Sequence, residues 1–493
     1  MEFDANIIKW YPFDNQKTIL QIGQNENIST ELKNRCEKLV VYENDIGEKF
    51  DYILIYGYQG EKIEKYLKNL TDDGKILIIG KNETGINNFD KYVENNENIG
   101  INRIEKHNEK LLNINQIEKN LKDNKFNTNI FYVFPNYSGT EVVINEKFRT
   151  QKAHIEKYCP DINENEVRIF DEIKALKTII YTDEKLLKIF ANAFFIEASA
   201  QEIKNDIRYC SFNNSRKAKY RLITIIKDNI VEKVPVNDEA NQHITNMCKI
   251  AEDIKITDID ILDYTIDGRF YSKLIKDERT LDRILYDNRQ NLDEIVKILT
   301  DLKNILIQYS TTEIPDEIQS KYSNCENLHF LKNAYWDMIA KNCFYINGRF
   351  VFFDQEWEKE YLPVEFLIYR SIINSYDLVR KINVENLLEK LDILQYRKDF
   401  EQLDLELREE ILDEQVYNEI YNKNITSIDN ILYDNKIVTL LKEDNANKQK
   451  YISELEEDNK KKQEYIDVLE NNLEQIKKEL EEQRKKGFFW KGK

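Results

Sequence analysis

Residues 337–357 read DMIAKNCFYINGRFVFFDQEW, and the spacing inside this stretch decides how the rest of the chain is parsed. Asp337 and Asn342 are separated by four residues, a turn follows at Ile346-Asn347-Gly348, and the apolar run Phe350-Val351-Phe352-Phe353 then ends on Asp354. Asn342 and Asp354 offer hard oxygen donors of the kind magnesium prefers. No histidine or cysteine is needed. A lone D-x-x-x-x-N recurs by chance, so the weight rests on its distance to a buried-looking strand that ends in Asp. The plain alternative is a surface loop leading into an ordinary core strand.

Composition bounds what surrounds this stretch. At 493 residues the chain is expected to hold two or three globular units of roughly 150 residues each. Nothing at its start reads as a signal peptide, and no apolar run approaches the ~20 residues of a membrane span. Cys36, Cys159, Cys210, Cys248, Cys325 and Cys343 are scattered without a C-x-x-C pair, which fits reduced thiols in a cytoplasm. A net charge of −18 argues against a nucleic-acid partner, whose footprint would be basic.

Toward the amino terminus, short apolar runs alternate with helical text: TILQIGQNENIS from Thr18, ELKNRCEKL from Glu31, VVYEN, then YILIY from Tyr52 and KILIIG from Lys75. This alternation predicts a parallel sheet with helices on its faces. The order, the Trp10-Tyr11-Pro12-Phe13 lead-in, Asn82-Glu83-Thr84-Gly85 and IFYVFPNY from Ile130 resemble class I S-adenosylmethionine-dependent methyltransferases of bacterial surface-polysaccharide gene sets. The resemblance implies an α/β Rossmann-like domain over residues 1–147, with Gly23 in the cofactor loop and Glu43 at the cofactor ribose. Two departures stand against binding. Gly23 is followed by Gln24, Asn25, Glu26 and Asn27 rather than by further glycines, where a nucleotide-type cofactor needs close backbone approach. The seven residues between Glu43 and Asp51 cannot hold the helix and third strand that normally intervene. That strand lies at the edge of this fold, so its loss spares the sheet and damages the pocket. The domain therefore reads as a degenerate methyltransferase, with S-adenosylmethionine not expected to bind.

Residues 148–199 read as a helical connector. From 200 to 435 the text changes to strand-rich: IRYCSF from Ile207, YRLITII from Tyr220 and IVEKV from Ile230, with tight polar turns between them. Three such strands predict an antiparallel meander, and a helix follows from Asn237 or Asp238 with Ile244, Met247, Cys248, Ala251 and Ile254 on one face. This order, together with the Asp337–Asp354 spacing, resembles protein kinases and more closely aminoglycoside phosphotransferases. The resemblance implies an α+β kinase-like domain using ATP and Mg²⁺. Asp337 would orient the acceptor hydroxyl, Asn342 and Asp354 would hold the metal, and Lys233 would grip the phosphates with Glu239 or Glu252 as its helix partner. Residues 259–268 resemble the hinge. Tyr335 replaces the usual histidine, the first turn lacks glycine, and Gln355-Glu356-Trp357 replaces Phe-Gly, features closer to small-molecule and sugar kinases. The four histidines sit in no metal or triad spacing.

Residues 436–486 predict a C-terminal α-helical coiled coil. Ile452, Asn459, Ile466, Leu473 and Leu480 recur every seven residues, with Leu455, Lys462, Leu469, Ile476 and Gln483 as the second row, and the polar members interrupt the seam. KQKYISELE returns fourteen residues later as KQEYIDVLE. A single solvated helix is the alternative. In the tail, residues 487–493, Phe488, Phe489 and Trp490 stand among lysines, a composition suited to a membrane headgroup layer or a partner protein.

As a set, these regions resemble the bifunctional kinase–methyltransferases that terminate bacterial O-antigen chains. That resemblance implies an ATP-dependent sugar or polysaccharide kinase, a homo-oligomer through the coil, glycosyltransferase partners, and peripheral contact with the inner face of the plasma membrane. Two other readings remain at this stage: a non-catalytic scaffold for membrane glycosyltransferases, and a working methyltransferase with an appended binding module.

Overall fold

Strand β1 (Thr18–Ile22), β3 (Phe50–Tyr56) and the apolar end of β4 (Leu70–Lys81) are buried almost throughout, as parallel strands covered on both faces must be. The computed structural model describes residues 3–42, 47–88, 112–149, 167–168, 172–322, 325–420 and 426–489. The chain divides into two units, Met1–Ile425 and Thr426–Lys493. Helix α1 (Glu26–Lys33) begins earlier than the ELKNRCEKL text suggests, because the Asn25 side chain accepts from the Ile28 amide at 3.0 Å and caps it there. Strand β2 (Lys38–Val41) pairs with β1 and closes the sheet at that end. The missing third strand would lie outside it, so the remaining ladder is intact.

One boundary needs correction. Residues 193–199 were expected inside a helical connector, yet Ala193–Ser199 forms β7, buried at every position. It runs antiparallel between β4 and β5 (Asn127–Phe134), the strand that follows helix α2 (Ile114–Asp123). The segment AFFIEAS is buried on both faces, so its apolar run carries no period to distinguish strand from helix. The methyltransferase-like half thus extends well past residue 147.

The sheet does not end there. Strand β6 (Val142–Asn145) pairs with β5 on one side and with β8 (Tyr209–Phe212) on the other. Beyond β8 come β9 (Leu222–Ile226), β10 (Ile230–Pro235), β13 (Arg269–Lys273) and β12 (Asp263–Ile266), all antiparallel. One twelve-stranded sheet therefore runs through both halves. Five antiparallel strands with one helix, α3 (Asn241–Lys255), inserted after the third make a kinase-like small lobe. The predicted apolar face of α3 is buried, joined by His243 and Ile250. The hinge reading needs moving: residues 259–268 form β11 (Asp260–Ile261), β12 and the Asp267-Gly268 turn, and the connection to the large lobe begins after β13.

In the large lobe, α4 (Leu292–Ile307), α5 (Val364–Ile373) and α6 (Arg397–Ile411) pack around Leu299, Leu302, Phe366, Leu367 and Phe400. Strand β14 (Phe330–Tyr335) delivers the chain to Asp337. Strands β15 (Cys343–Ile346) and β16 (Arg349–Phe352) form a hairpin on a two-residue turn, with Asn347 at φ 51° and Gly348 at φ 80°. Asn-Gly is the pair that tolerates two positive φ values, which is why this turn was readable. Strand β17 (Glu358–Pro363) then pairs back onto β14.

The second unit contains α7 (Ile428–Phe489), a helix of 62 residues, about 93 Å long. It starts before the expected residue 436. Ile452, Leu455, Ile466, Leu469, Leu473, Ile476 and Leu480 are 45–57% exposed along it. The Trp490–Lys493 end of the tail, and the side chains of Phe488 and Phe489, lie outside the described residues, as does Glu43. Among the described residues no helix is long and apolar enough to cross a membrane.

Candidate active site

Two side chains singled out in the sequence, Lys233 and Asp354, line one cleft between the lobes, and hydrogen bonds join the Asp337–Asn342 loop to the strand end beside it. Lys233, near the end of β10, extends under the small-lobe sheet, and its Nζ lies 2.8 Å from Asp354 Oδ1 and 2.8 Å from Glu356 Oε1. The Asn342 Nδ2 donates to the Asp337 carbonyl at 3.3 Å, and the Gln355 Nε2 donates to the same oxygen at 3.2 Å. The Phe353 amide donates to the Asn342 carbonyl at 3.0 Å. These bonds tie the Asp337 loop to the strand end that carries Asp354. Beneath the loop, Arg370 of α5 lies over the Trp336 ring at 4.4 Å, donates to the Trp336 carbonyl and pairs with Asp404 at 2.8 Å. The residue preceding Asp337 is thereby fixed.

The cleft has a volume of about 580 Å³; Val231, Lys233, Thr224 and Ile226 line it from the small lobe and Phe344, Phe353 and Asp354 from the large lobe. The segment Leu274–Asp277, which leads from β13 toward the large lobe, also lines it. A mostly apolar slot with a few convergent charges is the usual form of a small-molecule pocket.

The expected partners of Lys233 need correction. Glu239 is exposed in a short turn of helix before α3, and Glu252 accepts a bond from Thr265 at 3.1 Å on the surface. Glu356 takes their place. Its carboxylate is 3% exposed and receives Lys233, a very short bond from Arg216, and His243 at 3.5 Å. Burial works against this charge, but Arg216 and Lys233 outweigh it and hold the Glu356 carboxyl well below the usual range. Burial likewise opposes the Lys233 ammonium, and Asp354 and Glu356 overcome it, raising its pKa. The Asp337 carboxyl moves the other way. Burial pushes it up to about 6, with Glu356 and Asp354 adding to the shift and Arg370 and Lys341 opposing it.

Sequence reasoning missed three participants. His243 stacks on Trp357 with ring centres 4.5 Å apart and faces Glu356; its place on the apolar face of α3 was the available signal. Glu356 was visible in the D-x-E-W ending, but nothing local said that it reaches Lys233. Asp263, 1% exposed at the start of β12, accepts from the amides of Asp354 and Gln355, each at 3.0 Å. Asp354 has φ 60°, a left-handed conformation uncommon for a residue with a side chain, and Asp263 clamps it in place. A contact spanning 91 residues has no local sequence signal.

For a divalent cation, the fit rests on the donor set. Asp354 is 36% exposed, and Asn342 spends its amide nitrogen on Asp337, which leaves the amide oxygen as the group to meet an ion. One carboxylate and one amide oxygen satisfy magnesium when phosphates complete the shell. Among the described residues no cluster of three or more His, Cys, Asp or Glu could hold a metal unaided.

In the methyltransferase-like half, Gly23 has φ 87°, and a Cβ there would sit 2.3 Å from the Tyr56 carbonyl oxygen. Close packing of β3 against this loop therefore requires glycine without any ligand. The Asn25 amide at the same loop bonds Asp4 at 3.3 Å and the Tyr56 hydroxyl at 3.4 Å.

Fold and site together define a kinase-like cleft built onto a methyltransferase-like sheet. No family model and no curated protein matches the chain. Among solved structures it is similar to an S-adenosylmethionine-dependent methyltransferase from Archaeoglobus fulgidus, at 15% identity over 40% of this chain and 91% of that one, TM-score 0.24. It is also similar to APH(2")-IIa solved with gentamicin, at 13% identity over 42% and 89%, TM-score 0.23. A third is the Plasmodium vivax ethanolamine kinase, at 11% identity over 52% and 94%, TM-score 0.17. At such scores the assignment rests on strand order and on the cleft.

Proposed function

We propose that the chain is a magnesium-dependent ATP phosphotransferase that acts on a hydroxyl, and that its acceptor is a sugar of a cell-surface glycan. The observation that carries the phosphotransfer reading is the meeting of Lys233 and Asp354 at 2.8 Å inside an interlobe cleft, with the Asp337 loop hydrogen-bonded to Gln355 next to Asp354. Lys233 binds the ATP phosphates. Asp354 and the Asn342 amide oxygen are the residues that would hold magnesium, which when bound neutralises charge on those phosphates. The Asp337 carboxylate accepts a hydrogen bond from the acceptor hydroxyl and orients it. The hydroxyl oxygen attacks the γ-phosphorus, the bond to the β-phosphate oxygen breaks to release ADP, and the hydroxyl proton leaves to Asp337. Such proton acceptance is worth about 10²–10⁴ in rate.

The test is ADP release by the full chain with magnesium and ATP over a panel of sugars. Asp337→Asn is expected to lower kcat by at least about a hundredfold, and Asp354→Asn to remove the magnesium-dependent turnover while the fold persists. Full turnover by Asp354→Asn would overturn the assignment. The glycine-free turn at residues 213–219 favours a second reading, a scaffold without catalysis, and the absence of ATP turnover with every acceptor would support it.

The finer parts of the proposal rest on the resemblance to chain-terminating enzymes. The coil joins copies of this chain, glycosyltransferases are its partners, and the tail meets the inner face of the membrane. The methyltransferase-like half carries no methyl transfer. Calorimetric binding of S-adenosylmethionine at micromolar affinity would contradict that last point.

A further inference from the structure

The nucleotide cleft is not lined by the kinase-like lobes alone. Phe148 and Arg149, from the turn after β6, line it at the end nearest Tyr209. The Phe148 ring lies 5.5 Å from the Tyr209 ring at an interplanar angle of 30°, and Tyr209 opens β8. The turn that carries Phe148 is closed by a bond from the Phe148 amide to the Asn145 carbonyl at 2.9 Å. Arg149 donates to the Glu146 carbonyl at 2.8 Å and pairs with Glu184 at 2.6 Å. Strand β6, just before the turn, is hydrogen-bonded into the small lobe through β8. Phe148 is therefore held at a fixed place relative to Lys233 by one continuous sheet.

The cover that this position supplies is otherwise thin. The turn from Asn213 to Lys219 has no glycine, so backbone amides there cannot close over phosphates as a glycine-rich loop does. On the phosphate side the cleft offers side chains instead, from Asn213, Arg216 and Lys233. The aromatic pair Phe148–Tyr209 lines the same cleft, together with Val231 and Phe344.

Resting on the ATP reading above, we infer that the methyltransferase-like half supplies the outer wall of the nucleotide site. Phe148 packs on the base or ribose of the purine nucleotide. The half that carries no phosphoryl chemistry then sets nucleotide affinity, which gives the shared sheet a function. Its signature is a binding defect without a chemical one, because Phe148 is remote from Asp337 and Asp354 in role.

The experiment measures Mg·ATP dissociation constants by calorimetry, with KM and kcat, for the full chain and for Phe148→Ala, Phe148→Leu and Phe148→Trp. Phe148→Ala is expected to raise both the dissociation constant and KM about tenfold, within the range of one base–aromatic stack, with kcat within about twofold. Phe148→Leu keeps apolar volume without the ring and is expected to weaken binding severalfold, which covers the case in which the alanine variant fails to fold. Phe148→Trp is expected to restore affinity, a rescue that a merely structural role at the β6 turn would not give. If the unaltered chain binds Mg·ATP and the folded variants bind it equally, the wall is refuted and the kinase reading stands. If the unaltered chain does not bind Mg·ATP at millimolar concentration, both fail together.

Discussion

Glu356→Gln separates a chance cluster of charges from a built site. The substitution keeps shape and one acceptor oxygen but removes the charge that Lys233, Arg216 and His243 converge on. Lys233 is 6% and Glu356 3% exposed, so water does not replace the lost partner. Removing one member of a buried pair costs about 3–5 kcal/mol, and the retained oxygen argues for the lower end, ~3 kcal/mol. At about 2–4 °C per kcal/mol for domains of 150–250 residues, and less for a larger unit, Tm should fall by about 5 °C. Lys233 would then lean wholly on Asp354, so the magnesium concentration needed for half-maximal turnover should rise severalfold. Glu239→Gln and Glu252→Gln are the controls: both are surface changes, expected within about 0.5 kcal/mol of the starting chain. Thermal unfolding by circular dichroism and a magnesium titration of ATP turnover read both effects. A Glu356→Gln chain that melts and titrates like its parent, or a Glu239 or Glu252 variant with the larger defect, would refute the partner assignment.

The raised Asp337 pKa sets a pH dependence. The reactive form is the carboxylate and its pKa is about 6, so log(kcat/KM) should be flat above that value and fall about one unit per pH unit below it; a profile level down to about pH 5 would contradict the assignment. Asp263→Asn should unclamp the left-handed Asp354, lowering kcat about tenfold and raising the magnesium requirement while KM for ATP stays within about twofold. It should also cost roughly 2 kcal/mol of stability, as one of the two buried amides loses its acceptor oxygen, and unchanged kcat would show that the clamp is incidental. For the long helix, Ile466→Asp with Leu469→Asp in the full chain should convert an oligomer to a monomer in sedimentation equilibrium, and equal masses would remove the coil as the joining element.

What the sequence made legible follows from the range of each interaction. The Asn347-Gly348 hairpin, the Asp337–Asn342 spacing and the meander around Lys233 are local, and composition writes them directly. The partner of Lys233 lies 123 residues away at Glu356, and a helix glutamate was expected only by analogy. Strand β7 escaped because an apolar run inserted between two strands shows no alternation. The same holds for the join of β6 to β8: a twelve-stranded sheet spanning two fold types leaves no mark in either fold's own text. Phe148 reads as the start of a connector until that join is seen.

The most direct measurement is a crystal structure of the full chain with magnesium and a non-hydrolysable ATP analogue. The prediction places the phosphates within hydrogen-bond reach of Lys233, the ion on Asp354 and Asn342, and the base between Val231 and Phe344. Calorimetry showing binding while the analogue sits elsewhere and this cleft stays empty would contradict the kinase assignment outright.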